Sequence, residues 1–204
     1  MGTADDTYKT IRSISEGLYK EKGSKFLAFL HPVVNEKEAQ AILEQYRRKY
    51  HDARHVCYAW ISGKQKPYMT RSSDDGEPSG TAGKPMLTQL TAAGITNVLA
   101  IVVRYFGGVL LGTGGLVVAY RTAVANALEG AEIEERTIDY CICITFDYPL
   151  MGEVMRIVKE EKLLVDSQEL TMDCRLKLSF RQSKKERVLE RFRLLQKVQI
   201  EENE

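Results

Sequence analysis

Apolar and polar positions along this chain follow two periods, and the period in each stretch predicts its elements. Val98-Leu-Ala-Ile-Val-Val103 is apolar without a break, the pattern of a strand buried on both faces. Tyr8 to Val34 holds two strand-like runs. In the first, Thr10, Arg12, Glu16 and Lys20 intersperse with Ile11, Ile14 and Leu18; after a turn at Lys22-Gly-Ser-Lys25, Phe26 to His31 is a more buried strand ended by Pro32. Asn35 is placed to cap a helix, with Glu36 and Glu38 in the first turn where the dipole favours acids, and Ala39, Ile42, Leu43 and Tyr46 keep helical spacing to Tyr50. Arg54 to Ile61 alternates as a strand, and Tyr68 to Arg71 reads as its short antiparallel partner beyond the 63–67 loop. Met86 to Ala93 and Leu116 to Leu128 have helical spacing, and Gly130 is the expected C-terminal cap.

A second pattern starts after Glu132-Ile-Glu-Glu-Arg136, which reads as a polar connection. Thr137 to Tyr148 alternates, with Ile138, Tyr140, Ile142, Ile144 and Phe146 on one face. A helix from Pro149 carries Leu150, Val154, Ile157 and Val158. Leu163 to Leu170 and Cys174 to Phe180 are strands joined by Thr171-Met-Asp173. Ser183 is placed to cap a helix bearing Val188, Leu189, Phe192 and Leu195, and Lys197 to Ile200 closes as a strand. That order is β-α-β-β-α-β, the ferredoxin-like arrangement. The expectation is an α+β protein of two domains, 1–136 and 137–204.

With 44% hydrophobic residues the chain has material for a real core, and no stretch approaches the ~20 apolar residues of a membrane span. The N-terminus lacks the basic-then-apolar pattern of a secretion signal. Cys57, Cys141, Cys143 and Cys174 form no C-x-x-C pair, so neither a zinc site nor a disulfide framework is expected, and 141 and 143 read as core positions on one strand face. These features predict a reduced, cytoplasmic protein without metal or cofactor. The net charge is +1, but unevenly spread. Arg47, Arg48, Lys49, Arg54, Lys64, Lys66 and Arg71 cluster against Asp52 alone, and Lys184, Lys185, Arg187 and Arg191 belong to a second basic run. Such patches meet phosphate backbones or serve as solvated faces. Tyr58, Trp60 and Tyr68 lie among the first set, where aromatics can stack on unpaired bases or fill a core.

The candidate chemistry lies between Asp74 and Arg121. Two glycine-rich segments, Asp74-Asp-Gly-Glu-Pro-Ser-Gly-Thr-Ala-Gly-Lys-Pro85 and Gly107-Gly-Val-Leu-Leu-Gly-Thr-Gly-Gly115, each open a helix and contain eight glycines between them. A glycine-rich loop at a helix start presents backbone N–H groups to an anion. Neither segment matches a phosphate loop or a dinucleotide fingerprint. Asp74, Asp75 and Glu77 form an acidic cluster, a turn-former set or a weak Mg²⁺ site. Ser79, Gly80, Thr81, Gly83, Lys84, Arg104, Tyr105, Gly107, Gly108, Gly112, Thr113, Gly114, Gly115, Tyr120 and Arg121 complete the surface that would hold a phosphate or partner. His51 and His55, four apart, fall on different elements and lose the metal-helix meaning, and Cys57 reads as a small core residue rather than a nucleophile.

The same two segments, with Val103-Arg-Tyr-Phe-Gly-Gly108, Leu111-Gly-Thr-Gly-Gly-Leu116 and Ala119-Tyr120, resemble the signature of the YigZ/IMPACT family, over Met1 to about Arg136. The tail resembles the ferredoxin-like C-terminal domain of the bacterial members. The resemblance implies a first domain of the ribosomal protein S5 domain-2-like fold, with helices over one face of a mixed sheet, and a pair similar to the last two domains of elongation factor G, the tail matching domain V. It supplies no catalytic residues. Bacterial members often carry Lys near 110 and Arg at 118, where this chain has Leu110 and Val118, with Arg121 three places on. Eukaryotic IMPACT proteins regulate translation. The function expected is therefore non-enzymatic contact with RNA or the ribosome. The alternatives are a small enzyme or binder acting on a phosphorylated metabolite or nucleotide, and a regulator of a protein partner.

Overall fold

The computed structural model describes residues 6–171 and 173–203; the N-terminal residues read for a signal, and Met172 in the 171–173 link, lie outside them. The described residues form two compact units, one of residues 8–136 and one of residues 137–171 and 173–203 together with residues 6 and 7.

In the first unit the elements are β1 (Thr7–Ile11), β2 (Ser15–Glu21), β3 (Ser24–Pro32), α1 (Glu36–Lys49), β4 (His55–Ser62), β5 (Met69–Ser73), α2 (Gly83–Ala92), β6 (Val98–Tyr105), α3 (Gly112–Glu129) and β7 (Ile133–Thr137). Five strands form one sheet in the order β2-β3-β6-β4-β5. Every neighbouring pair is antiparallel, which corrects the expected mixed sheet. The apolar run becomes the central strand β6. Val98, Ala100 and Val102 pack with Met86 and Leu90 of α2 and with Leu116, Ala119, Tyr120, Ala123 and Ala127 of α3. Leu99, Ile101 and Val103 pack on the other face with Ala39 and Leu43 of α1 and with Trp60. Helices therefore cover both faces, not one, which is why the Val98 to Val103 part of β6 has no polar alternate. Asn35 caps α1 as expected, its side chain accepting from Glu38 N at 2.9 Å.

The region before Val34 holds three strands rather than two, because the first run breaks at residues 12–14 into β1 and β2; the expected turn follows, with Lys22 and Gly23 both at positive φ closing a hairpin between β2 and β3. The polar 132–136 stretch is not a bare connection. It forms β7, paired with β1 in a two-stranded ribbon.

The second unit contains β8 (Asp139–Asp147), a 3₁₀ turn at Tyr148–Leu150, α4 (Met151–Glu161), β9 (Leu164–Glu169), β10 (Asp173–Arg181), a second 3₁₀ turn at Gln182–Lys184, α5 (Lys185–Arg193) and β11 (Gln199–Asn203). Its antiparallel sheet runs β11-β8-β10-β9. Ile142, Ile144, Phe146, Leu176 and Leu178 meet Val154 and Ile157 of α4 and Val188 and Phe192 of α5. Cys141 and Cys143 occupy the opposite face of β8, so they lie outside this core; Arg175 Nε donates to Cys143 Sγ at 3.0 Å. Ser183 does not cap α5: its hydroxyl donates to Asp6 Oδ2 at 2.5 Å.

Candidate functional site

The first glycine-rich segment is organised by one carboxylate. Asp74 Oδ2 accepts from Gly80 N at 2.8 Å, and Oδ1 accepts from Ala82 N at 2.9 Å and Gly83 N at 2.8 Å. An internal side chain thus does at the start of α2 what an anion would do. Burial pushes the Asp74 carboxyl up, and the donations from Gly80, Gly83 and Ala82 more than offset it, leaving it below the usual range. Asp75 closes the same loop from the other side: its Oδ2 accepts from Val56 N at 2.7 Å, and its carbonyl accepts from His55 Nδ1 at 2.7 Å. A carbonyl can only accept, so His55 carries its proton on Nδ1. Thr81 turns inward, donating to the Pro78 carbonyl at 2.6 Å, and Ser79 is exposed.

Beneath the loop lies a buried polar cluster. Glu77 Oε1 receives Arg104 Nη1 at 2.5 Å and the Tyr120 hydroxyl at 2.8 Å, with His55 Nε2 at 3.9 Å. The Cys57 thiol donates to the Asp74 carbonyl at 3.0 Å and sits 3.3 Å from Tyr120 Oη. Burial, outweighing the opposing contact with Tyr120, pushes the Cys57 thiol up to about 12. Burial, reinforced by Cys57 and Glu77, raises the Tyr120 phenol as well. Both stay protonated at neutral pH, so the pair reads as a structural network rather than a nucleophile with its base. Arg104 also lies over the rings of Phe26 and Phe106.

The glycines divide by what surrounds them. A Cβ on Gly107 would fall 1.9 Å from the backbone carbon of Gly23, and one on Gly83 2.8 Å from Ser73 N, so these two let segments pack. Gly80, Gly108 and Gly112 hold positive φ, and Gly115 is tight against the Leu111 side chain. Gly114 has neither reason: its φ is ordinary and a Cβ would meet nothing within 4 Å. It sits exposed in the first turn of α3, where no side chain caps the helix.

Two clefts flank that turn. One, of about 330 Å³, runs between Arg54, His55, Phe106, Leu110, Leu111 and Thr113, with the Glu77–Arg104 pair in its wall. The other, also about 330 Å³, lies between α2 and α3 among Gly80, Lys84, Thr88, Val117 and Arg121. The structure thus brings Lys84, Gly112, Thr113, Gly114 and Arg121 to the surface, while Asp74, Glu77, Gly83, Arg104 and Tyr120 build the support below. Tyr105 is half-buried and donates to Asp52 at 2.9 Å. Reasoning from sequence did not single out Phe106, Thr88 or Val109. The first two line the clefts and the third is exposed beside them; only their placement around α3 reveals them.

The basic residues are dispersed among partners. Arg47 pairs with Asp75, Arg48 with Glu44 and Arg71 with Glu36, while Lys49 lies over Tyr46 and Tyr50 and Arg54 over Phe106. In the second unit Arg187 and Arg191 converge on the buried Glu161, Lys184 donates to the Glu161 carbonyl, and Lys185 pairs with Glu202. Among the described residues Lys64 and Lys66 have no such partner. Trp60 is 2% exposed and belongs to the core, so it offers no stacking face. No helix among the described residues is long and apolar enough to cross a membrane, and no cluster of three or more metal-ligating side chains occurs among them.

The model of the Impact N-terminal domain matches residues 22–128, the stretch that carries both glycine-rich segments and both clefts. The IMPACT family member YigZ of Escherichia coli is 46% identical over 117 residues, 57% of this chain and 57% of that protein's length. The IMPACT family member YvyE of Bacillus subtilis is 33% identical over 159 residues, 78% of this chain and 73% of that one. A crystal structure described only as that of a hypothetical protein is 29% identical, with a TM-score of 0.74 over 98% of this chain and 99% of that one. The matched residues 22–128 include those that build the Asp74 loop, the Glu77 cluster and the start of α3, and with the identity to YvyE over 78% of this chain they show that the chain belongs to the IMPACT family.

Proposed function

We propose that this protein is a non-enzymatic regulator of translation that works by binding, and that the surface around the start of α3 is where it contacts the ribosome. The observation that carries the reading is the state of the chemistry beneath the loops. Glu77 is engaged by Arg104 and Tyr120, and Cys57 and Tyr120 are held protonated by burial, so the polar cluster fixes a shape. A small enzyme acting on a phosphorylated metabolite would need free amides at α2, and Asp74 occupies them. Its one acid–base group on the cleft wall would be His55 Nε2.

Two finer assignments accompany the reading. The β11-β8-β10-β9 order, with α4 and α5 on one face, supports a ferredoxin-like, elongation factor G domain V-like assignment for residues 137–204. Membership of the IMPACT family supports an S5 domain-2-like assignment for residues 1–136.

The test is sedimentation of the purified chain with ribosomes through a sucrose gradient at low salt, with and without ribonuclease. The chain is expected in the ribosomal fractions. A chain that stays at the top of the gradient under those conditions rules the reading out.

A further inference from the structure

The surface around the start of α3 joins two properties that a plain solvated face lacks. Apolar exposure is concentrated there. Phe106, Val109, Leu110 and Val118 are 38%, 50%, 82% and 43% exposed, whereas the other exposed large apolar residues of the first unit are spread along the chain from Ile14 to Ile133. Charge there is also one-sided. Arg54, Lys84 and Arg121 line the two clefts, and the one carboxylate on either wall, Glu77, is neutralised by Arg104. Among the described residues, Lys84 and Arg121 enter no ion pair.

The helix itself adds a third observation. Gly114, Val118 and Arg121 stand at i, i+4 and i+7 on α3, all exposed, and so form one outward line. Glycine is among the least favourable residues within a helix, and nothing in the fold requires one at 114. A bare backbone on an exposed helix face allows another backbone to come close.

We infer that this surface docks an acidic amphipathic helix of a protein partner. The apolar face of that helix lies on Leu110 and Val118, its backbone crosses at Gly114, and its carboxylates reach Arg54, Lys84 and Arg121. This deepens the proposed function, on which it rests for the partner's setting. The observations favour protein over RNA. Phosphates gain nothing from Val109 and Leu110, and the Phe106 ring that a base would stack on already has Arg54 and Arg104 guanidinium groups within 5.5 and 5.7 Å of its centroid.

The probe is a labelled synthetic helix of about 20 residues, ~30 Å long, with Leu at i, i+3, i+4 and i+7 and Glu along both flanks of that stripe. Its lysine counterpart and a single-stranded RNA of about 20 nucleotides serve as competitors for the full chain, read by fluorescence anisotropy. The acidic helix should saturate in the micromolar range and bind at least about tenfold tighter than the lysine helix. Leu110→Ser and Gly114→Val should each weaken it about fivefold or more, and Lys84→Glu combined with Arg121→Glu about tenfold. Circular dichroism melts serve as the fold control. Failure to saturate, RNA binding tighter than the acidic helix, or affinity indifferent to Leu110→Ser and Gly114→Val overturns the inference. Ribosome sedimentation separates this from the broader reading. Sedimentation that both single variants leave intact sinks the docking surface alone, and sedimentation absent from the parent chain sinks the translational setting.

Discussion

The Tyr120 hydroxyl donates to Glu77 Oε1 at 2.8 Å, and the same oxygen receives Arg104. One carboxylate therefore ties α3 and β6 to the loop between β5 and α2. Glu77→Ala would leave the Arg104 guanidinium buried without its counter-charge, at an expected cost of about 3–5 kcal/mol. Tyr120→Phe loses one hydrogen bond to a charged group and should cost about 1.5–3 kcal/mol. Combining Glu77→Ala with Arg104→Met should recover part of the first loss. Urea unfolding measures all three. An additive double variant would show that the two groups are not coupled.

Gly107 and Gly114 should respond in opposite ways to the same methyl group. Gly107→Ala places a Cβ 1.9 Å from Gly23 backbone, which must move, so a large loss of stability is expected. Gly114→Ala meets open space at a helical φ and should stabilise by up to about 1 kcal/mol. Denaturant midpoints decide, and a Gly107→Ala variant as stable as the parent would refute the packing at that crossing.

These two glycines show where sequence reading stops. Both stand in one run and look alike on paper, and only the approach of Gly23, eighty-four positions earlier, distinguishes them. Local signals were legible: the unbroken apolar stretch became β6 and Asn35 became a cap, because each depends on neighbouring residues. Long-range pairings were not. Nothing near Glu77 announces Arg104 or Tyr120, and Asp74, which reads as a turn former or a weak Mg²⁺ ligand, caps amides six to nine positions beyond it. Apolar spacing marks α3 only from Leu116, yet the helix opens at Gly112, within the glycine-rich segment. β7 leaves no apolar pattern because a two-stranded ribbon holds together through backbone hydrogen bonds and needs little apolar surface.

Asp74 should make stability depend on acid. Its carboxyl lies below the usual range in the folded chain, so its contribution is fully present above the unfolded value near 3.8 and fades as pH falls through the folded one. Asp74→Ala is expected to cost about 1–2 kcal/mol at neutral pH, as for loss of a helix cap. The difference between parent and variant should shrink on acidification below about pH 4. A difference that stays constant from pH 7 to pH 3 would show that the charge does not matter.

Residues 137–204 should fold as a separate fragment, since their core draws on α4, α5 and their own sheet. Residue 6 adds two bonds, its carbonyl accepting from Ile138 N at 2.6 Å and its carboxylate from Ser183. A fragment starting at 6, joined by a short linker to 137, should therefore melt higher than 137–204 alone. A 137–204 fragment that lacks a cooperative transition by circular dichroism would contradict independence.

Arg187 and Arg191 separate a nucleic-acid face from a folding device. Both meet Glu161 Oε1, at 2.9 and 2.7 Å, and that carboxylate is 3% exposed at the end of α4. The hydrogen bond from Arg191, against the opposing effect of burial and with help from Arg187, holds the Glu161 carboxyl below its ordinary value. Its contribution is thus present above the unfolded value near 4.5 and is lost as pH drops through the folded one. Glu161→Ala should lower the melting temperature only modestly, because the arginines it leaves, Arg187 at 72% and Arg191 at 28% side-chain exposure, stay solvated, and the loss should diminish in acid. Arg187→Gln with Arg191→Gln should likewise lower the melting temperature. If these arginines serve the fold, the double variant leaves any RNA affinity with the same salt dependence. If they grip phosphates, the slope of log affinity against log salt falls by about 1.4, at roughly 0.7 per contact on a single strand. A reduced slope with an unchanged melting temperature would move them from the scaffold to a binding face. The ion pairs to Glu161 lead us to expect the opposite pair of results.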